Sequence, residues 1–323
     1  MVNRLVILDP MAQKGLDKFA QFLPDDFEIA TSRSRAPADQ LEAIKGATFV
    51  ITADVPVTAE MMEVGAAHGL KGVHKWGVGY DNIDCERARE VGVRVMRTTG
   101  SNAVMVAETT LALMLALQRN IVRGHVGLQK GEWLKGSLGE TSMRLTGKTI
   151  GLIGLGYIGK QVARLLRGFD CEVIYTKRTP ISAEEAQELR ARLVTLDELI
   201  ETSDVISLHC ALTDETADMI NKESIARMKP GSILINTARG GLVNENDLAE
   251  AVESGHLRGA AVDVFPVEPI AADHRFVGVD RIIITPHVGA ISADAYADNV
   301  KRMVHNMVCV AKGEEPPAFD TLV

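Results

Sequence analysis

The chain has 323 residues, 46% hydrophobic and 24% charged, with a formal net charge of −8. This is the composition of a soluble globular protein too long for one ordinary core, so two domains are expected. The acidic balance argues against nucleic acid or an anionic membrane as a general partner, because polyanions repel an acidic surface.

The N-terminal stretch "MVNRLVILDP" has a short apolar run ended by Asp9-Pro10 and reads as a strand, without a secretory signal. Residues 11–22 carry a helical pattern, "TFVITA" (48–53) reads as a strand, "TAEMMEVGAA" (58–67) as a helix and "VRVMRT" (93–98) as a strand. Such alternation predicts a parallel sheet with covering helices. Next comes "AVMVAETTLALMLALQ", apolar around the helix apart from residues 108–110. A helix without a wet face must be buried, and partial burial in a homodimer is the favoured reading. Its longest apolar run, "LALMLAL" (111–117), is far below bilayer-spanning length, and no membrane partner is expected.

A second alternating block starts at Lys148. "KTIGLIG", "CEVIYT", "DVISLHC", "SILINTA", "GAAVDVF" and "RIIITPH" read as six strands. The helices expected among them are residues 157–169, "LDELIETS", "NKESIARM" and "ENDLAEAVESG". This matches a doubly wound dinucleotide-binding sheet. Near the C-terminus, Tyr296, Val300, Met303, Met307 and Val310 have the spacing of a helix with one buried face. Cys85, Cys171, Cys210 and Cys309 are isolated and read as reduced thiols of a cytoplasmic protein. The eight histidines form no HxxxH or His/Cys cluster, so no metal site is expected.

Within "GLIGLGYIGK", Gly154, Gly156 and Gly159 form GxGxxG between a strand and a helix. The first glycine allows the tight turn, and the second lets the backbone approach a pyrophosphate. The third permits close helix–strand packing, while the helix N-terminus attracts the phosphates. An acid some 20 residues on would bind the ribose of NAD. Here that neighbourhood reads "YTKRTP". Thr176 stands near the ribose place, and Lys177 and Arg178 supply cationic donors for a 2′-phosphate. NADP(H) is therefore the preferred cofactor, with NAD(H) as the other.

Three polar residues follow successive strands: Arg239 in "INTARGG", Glu268 in "DVFPVEP" and His287 in "ITPHVGA". Loops at the carboxyl ends of strands build the ligand crevice of such sheets. Together the three suit reduction of a 2-oxo acid. The planar Arg fork clamps the carboxylate, His delivers a proton to the carbonyl oxygen, and Glu fixes the imidazole and favours its charged form.

At this point the chain resembles the D-isomer-specific 2-hydroxyacid dehydrogenase family. The resemblance rests on "GVGYDNID" (77–84), "LTGKTIGLIGLGYIG" (145–159), "MKPGSILINTARGGLVNENDL" (228–248), "GAAVDVFPVEP" (259–269) and "TPHVGA" (285–290). It implies an α/β fold of two doubly wound parallel-sheet domains. A flavodoxin-like substrate domain would comprise residues 1–100 plus 291–323, and a Rossmann-type cofactor domain residues 101–290. It also implies that the domains close around both ligands. It supports Arg239, Glu268 and His287 in the roles above. It further implies that the amides of Val78 and Gly79 receive the substrate carboxylate and that Asp263 approaches the nicotinamide carboxamide. Tyr157, Ile158, Cys210, Ala211, Thr216, Thr237 and Ala238 would line the cofactor. Ala211 departs from the proline common there, which loosens the local turn prediction, and Thr109 stands where histidine is frequent.

For the substrate, Lys75 is read as a group that could greet an extra anion such as a phosphate, and Trp76 as a pocket wall. Glyoxylate or hydroxypyruvate is expected first and 3-phosphoglycerate second. Formate oxidation is disfavoured by the Glu268/His287 pair, and a non-catalytic cofactor-sensing regulator is the remote alternative.

Overall fold

The structure is a computed structural model and describes residues 2–323. The chain divides into two compact units, Met1–Asn102 with Ser292–Val323, and Ala103–Ile291. Each is a doubly wound α/β unit with its own parallel sheet.

The first unit contains β1 (Asn3–Ile7), α1 (Gln13–Ala20), β2 (Phe27–Thr31), α2 (Pro37–Ile44), β3 (Phe49–Thr52), α3 (Ala59–Ala67), β4 (Gly72–Lys75), α4 (Cys85–Val91) and β5 (Arg94–Met96). The sheet order is β2-β1-β3-β4-β5, the flavodoxin-like arrangement. Alternation along each strand feeds two cores. Val6, Val50 and Val73 meet Ile44, Met61, Met62 and Ala88 on one face. Leu5, Ile7, Phe49 and Ile51 meet Leu16 and Phe19 on the other, together with Val300, Met303 and Met307. The latter three belong to the C-terminal helix, Tyr296–Lys312, whose apolar stripe attaches the chain's end to this unit. Each such fully buried side chain contributes about 1.5–3 kcal/mol.

Strand β4 was not legible as a strand, because "GVHK" ends in two polar residues. Both are buried, His74 at 0% and Lys75 at 7% exposure. His74 Nδ1 lies 2.9 Å from the Lys75 carbonyl and Nε2 lies 3.2 Å from Asn306 Nδ2. Burial pushes its pKa down to about 4, so the ring is neutral.

The second unit contains α5 (Ala103–Gln118), α6 (Ile121–Gln129), α7 (Lys135–Thr141), β6 (Thr149–Ile153), α8 (Tyr157–Leu166), β7 (Glu172–Thr176), α9 (Ala183–Leu189), β8 (Ala191–Leu193) and α10 (Leu196–Thr202). There follow β9 (Val205–Leu208), α11 (Lys222–Arg227), β10 (Ile233–Asn236), α12 (Glu245–Glu253), β11 (Gly259–Val262) and β12 (Ile282–Ile284). The order is β12-β11-β10-β9-β6-β7-β8. It is the Rossmann arrangement extended by one strand, with the switch point between β6 and β9. Seven strands replace the six expected, because β8 is a three-residue edge strand with two exposed residues and gives almost no sequence signal.

The near-continuous apolar strands follow from burial on both faces. Helices begin where side chains cap them. Thr195 accepts from Glu198 N, and Asn244 accepts from Asp247 N. Asn221 and Ser224 form a capping box on α11. Each cap is worth about 1 kcal/mol. Helix α5 buries Val106, Ala107, Leu113, Met114 and Leu117, whereas Val104, Glu108 and Ala112 are exposed. Its burial within the unit is therefore one-sided.

Candidate active site

The glycine turn sits at the switch point, at the carboxyl end of β6. Gly154 has φ +97°, a left-handed conformation that a side chain would strain, and a Cβ there would lie 2.6 Å from the His209 carbonyl carbon. Gly156 is the N-cap of α8 and makes no side-chain cap bond. A Cβ on Gly156 would meet nothing within 4 Å, so the backbone faces open space. A Cβ on Gly159 would come within 2.5 Å of the Gly154 carbonyl oxygen, which fixes α8 close against the turn. Tyr157 and Ile158 open the helix, Tyr157 exposed. An uncapped helix N-terminus beside an unobstructed glycine fits a pyrophosphate.

Gly154 N donates to the Thr176 carbonyl at 3.0 Å, so the end of β7 lies beside the turn. Lys177 and Arg178 follow, both exposed. Arg178 approaches Glu215 only at 3.9 Å, with side chains 86% and 79% exposed, an arrangement worth little in water. Across the switch point, Cys210 and Ala211 follow β9. Burial pushes the Cys210 thiol's pKa up, so it stays protonated. The turn from Ala211 closes without proline. Thr216 Oγ1 donates to the Ala211 carbonyl at 2.8 Å and accepts from Thr213 N at 2.8 Å. Thr237 is buried with its hydroxyl 2.9 Å from that of Thr110 on α5.

Arg239, Glu268 and His287 follow β10, β11 and β12. Arg239 is set by its neighbours. Asn236 Nδ2 donates to the Arg239 carbonyl at 2.9 Å, and Ala238 N donates to Asn236 Oδ1 at 3.1 Å. A Cβ on Gly240 would lie 2.1 Å from the Phe265 carbonyl carbon, so only glycine lets this loop nest against the next one. Arg239 Nη1 donates to the Ala238 carbonyl at 2.7 Å.

Glu268 pairs with His287. Oε1 accepts from Phe265 N at 2.8 Å, and Oε2 lies 2.7 Å from His287 Nδ1. Burial pushes the carboxyl's pKa up. The hydrogen bonds from His287 and the Phe265 amide, with the charges of His287 and Arg239, outweigh it and hold the group below the ordinary carboxylate range. A carboxylate that stays ionised on Nδ1 leaves Nε2 as the nitrogen for proton transfer.

His287 has φ +52°, uncommon for a residue with a side chain. The buried Asp263 carboxylate holds this conformation. Oδ1 accepts from Thr285 Oγ1 at 2.5 Å and from Val288 N at 3.0 Å, and Oδ2 accepts from Gly289 N at 2.8 Å. Asp263 thus braces the histidine loop with both oxygens. Thr109 on α5 donates to the Gly289 carbonyl at 3.3 Å. The bracing roles of Asn236 and Thr109 were not read from the sequence.

Besides Arg239, the residues expected at the substrate are Lys75, Trp76, Val78 and Gly79, which lie in the first unit. Lys75 Nζ donates to the Ala53 carbonyl and, at 2.9 Å, to Asn82 Oδ1. These bonds tie two loops together through the buried ammonium. Trp76 packs 5.6 Å from Phe19 and 6.1 Å from Tyr296, ring centre to ring centre. Val78 and Gly79 lie half-buried in the loop beyond β4.

Residues 111–289 match the family described as D-isomer specific 2-hydroxyacid dehydrogenase, NAD binding domain. The chain is similar to a hydroxypyruvate reductase of Thermotoga maritima, at 40% identity over 87% of this chain and 90% of that one. It is similar to a glyoxylate reductase of Thermococcus litoralis, at 37% identity over 81% of this chain and 79% of that one. Among solved structures it resembles an NAD-dependent formate dehydrogenase from Staphylococcus aureus in complex with NAD, with TM-score 0.87, 30% identity and 99% of each chain covered. The chain therefore belongs to the D-isomer-specific 2-hydroxyacid dehydrogenase family and is an oxidoreductase with an NAD-binding domain.

Proposed function

We propose that this protein reduces glyoxylate or hydroxypyruvate to the D-2-hydroxy acid, with NADPH preferred over NADH. The observation that carries the reading is the 2.7 Å contact between His287 Nδ1 and Glu268 Oε2. When bound, the nicotinamide supplies the hydride to the 2-oxo carbon. His287, protonated and steadied by Glu268, gives its Nε2 proton to the carbonyl oxygen and takes it back in the oxidation direction. Arg239 pairs with the substrate carboxylate, assisted by the amides of Val78 and Gly79. Asp263 acts on the site mainly through the loop that bears His287.

Gly154, Gly156 and Gly159 admit the pyrophosphate, and Tyr157, Ile158, Cys210, Ala211, Thr216, Thr237 and Ala238 line the cofactor. In this reading residues 101–290 form the cofactor domain, and residues 1–100 with 291–323 form the substrate domain. The NADP(H) preference is supported by Thr176, which leaves out the acid that would repel a 2′-phosphate, and by the exposed Lys177 and Arg178 beside it. The bonds from Lys75 to Ala53 and Asn82 favour a small unphosphorylated acid over 3-phosphoglycerate in this reading.

The protein is proposed to work as a homodimer in the cytoplasm. The exposed Ile121, Val126, Leu128 and Trp133, on and just after α6, support self-association. Four free cysteines suit a reducing compartment. Among the described residues, no helix is long and apolar enough to cross a membrane. A kinetic matrix of both cofactors against a panel of 2-oxo acids tests the reading. NADPH should give the highest kcat/KM, with glyoxylate or hydroxypyruvate. A clear NADH preference would overturn the cofactor choice, and no turnover with any acid would overturn the activity.

A further inference from the structure

The loop after β4 that is proposed to receive the substrate carboxylate is held by a residue to which the sequence assigns no role. Arg97 follows β5 at the next strand end of the first unit. Its Nη1 donates to the Val78 carbonyl at 3.0 Å. Its guanidinium carbon lies 5.1 Å from the centre of the Tyr80 ring, two residues further along the same loop. Arg97 therefore grips the loop at two points on either side of Gly79.

The Arg97 side chain is itself aimed. Nε donates to Thr99 Oγ1 at 3.0 Å. That hydroxyl donates to the Phe319 carbonyl, and Thr99 N donates to Asp320 Oδ1 at 2.8 Å. Asp320 is fully buried and takes a two-pronged bond from Arg302, at 2.8 and 2.6 Å. The Arg97 backbone is fixed by the same group, its N donating to the Asp320 carbonyl at 2.9 Å and its carbonyl accepting from Asn306 at 3.3 Å. A guanidinium whose backbone and Nε are both held offers Nη1 in one direction.

The consequence follows from peptide geometry. The Val78 carbonyl and the Gly79 N–H belong to one planar trans unit and point oppositely. Fixing the carbonyl on Arg97 fixes the N–H on the far side, and a donor to the carbonyl polarises that N–H.

We propose that Arg97 is a positioning residue for substrate binding: it orients and polarises the Gly79 amide toward the 2-oxo acid carboxylate. This rests on the reading that the Gly79 amide receives that carboxylate. The test compares wild type with Arg97→Met, Arg97→Lys and Gly79→Pro, the last deleting the N–H itself. Steady-state kinetics with glyoxylate, inhibition by oxalate and the thermal unfolding midpoint are measured for each.

Arg97→Met should raise KM for glyoxylate and Ki for oxalate together by about tenfold, the low end for a charge-assisted bond acting indirectly, with kcat changed much less. Arg97→Lys keeps the charge without the fork and should fall between. A residue that only stabilised the fold would lower the unfolding midpoint without that selective rise. If Arg97→Met and Arg97→Lys both keep KM and Ki within twofold of wild type while Gly79→Pro raises them, the role of Arg97 is refuted and the amide reading stands. If Gly79→Pro, still folded, also leaves both constants unchanged, the amide reading itself falls.

Discussion

Replacing Glu268 by Gln tests the proton-transfer pair with little disturbance to the fold. The amide keeps an acceptor for Phe265 N, now 2.8 Å from Oε1, but removes the charge 2.7 Å from His287 Nδ1. A hydrogen bond between charged groups is worth about 1.5–3 kcal/mol. The His287 and Glu268 side chains are 41% and 24% exposed, so solvent screening places the loss toward the lower end. At about 1.5–2 kcal/mol, kcat/KM for 2-oxo acid reduction should fall roughly 10- to 30-fold. The direction with pH is also set. Reduction needs the charged imidazole, which Glu268 favours, so in Glu268→Gln the decline of rate with rising pH should begin at lower pH. Stopped-flow rates across pH, with unfolding midpoints as control, check this. An unchanged pH profile with kcat/KM within threefold of wild type would refute the coupling.

Removing the acid altogether, His287→Ala should lower turnover about 10²–10⁴-fold while NADPH affinity is retained, as read by fluorescence titration. Arg239→Ala should mainly raise KM for the oxo acid, and an unchanged KM and kcat would contradict the clamp. Thr176→Asp places a carboxylate where a 2′-phosphate would sit, so kcat/KM with NADPH should fall at least about tenfold while that with NADH holds or rises. His74 and His209 both have pKa values pushed down by burial, to about 4. The unfolded chain therefore binds more protons than the folded one between the ordinary value of 6.5 and about 4, and stability falls as pH drops through that window. Thermal unfolding from pH 7 to 4.5 should show this, and a midpoint unchanged over the range would contradict it.

Much of the cofactor-binding half was legible because its strands are buried on both faces. "KTIGLIG", "DVISLHC" and "SILINTA" read as apolar runs, each closed by a loop residue with chemistry to offer. What stayed hidden depended on partners far along the chain. Strand β4 looked like a loop because His74 and Lys75 are polar, yet Asn306 and Asn82 satisfy them inside the unit. Helices α6 and α7 were obscured by Gly124, Gly127, Gly136 and Gly139, which lower helix propensity. The proposed substrate and acid/base residues Arg239, Glu268 and His287 could be picked out by type and by position after strands. The groups that hold them could not. Asn236 and Thr109 act through backbone groups that no sequence pattern identifies, Asp263 is placed by the resemblance only at the cofactor, and Arg97 reaches a carbonyl 19 residues away. Lys75 is a similar case, since nothing in the sequence tells that its ammonium donates to Ala53 and Asn82.

The reaction proposed for this chain is hydride transfer from NADPH to a small 2-oxo acid with His287 as the acid. Its most direct test is the rate of NADPH oxidation by wild type and by His287→Ala with saturating glyoxylate or hydroxypyruvate. Rapid oxidation by wild type, and loss of it in a variant that still binds NADPH, is the predicted result. Equal rates in the two proteins, or no oxidation by wild type despite tight NADPH binding, would contradict it.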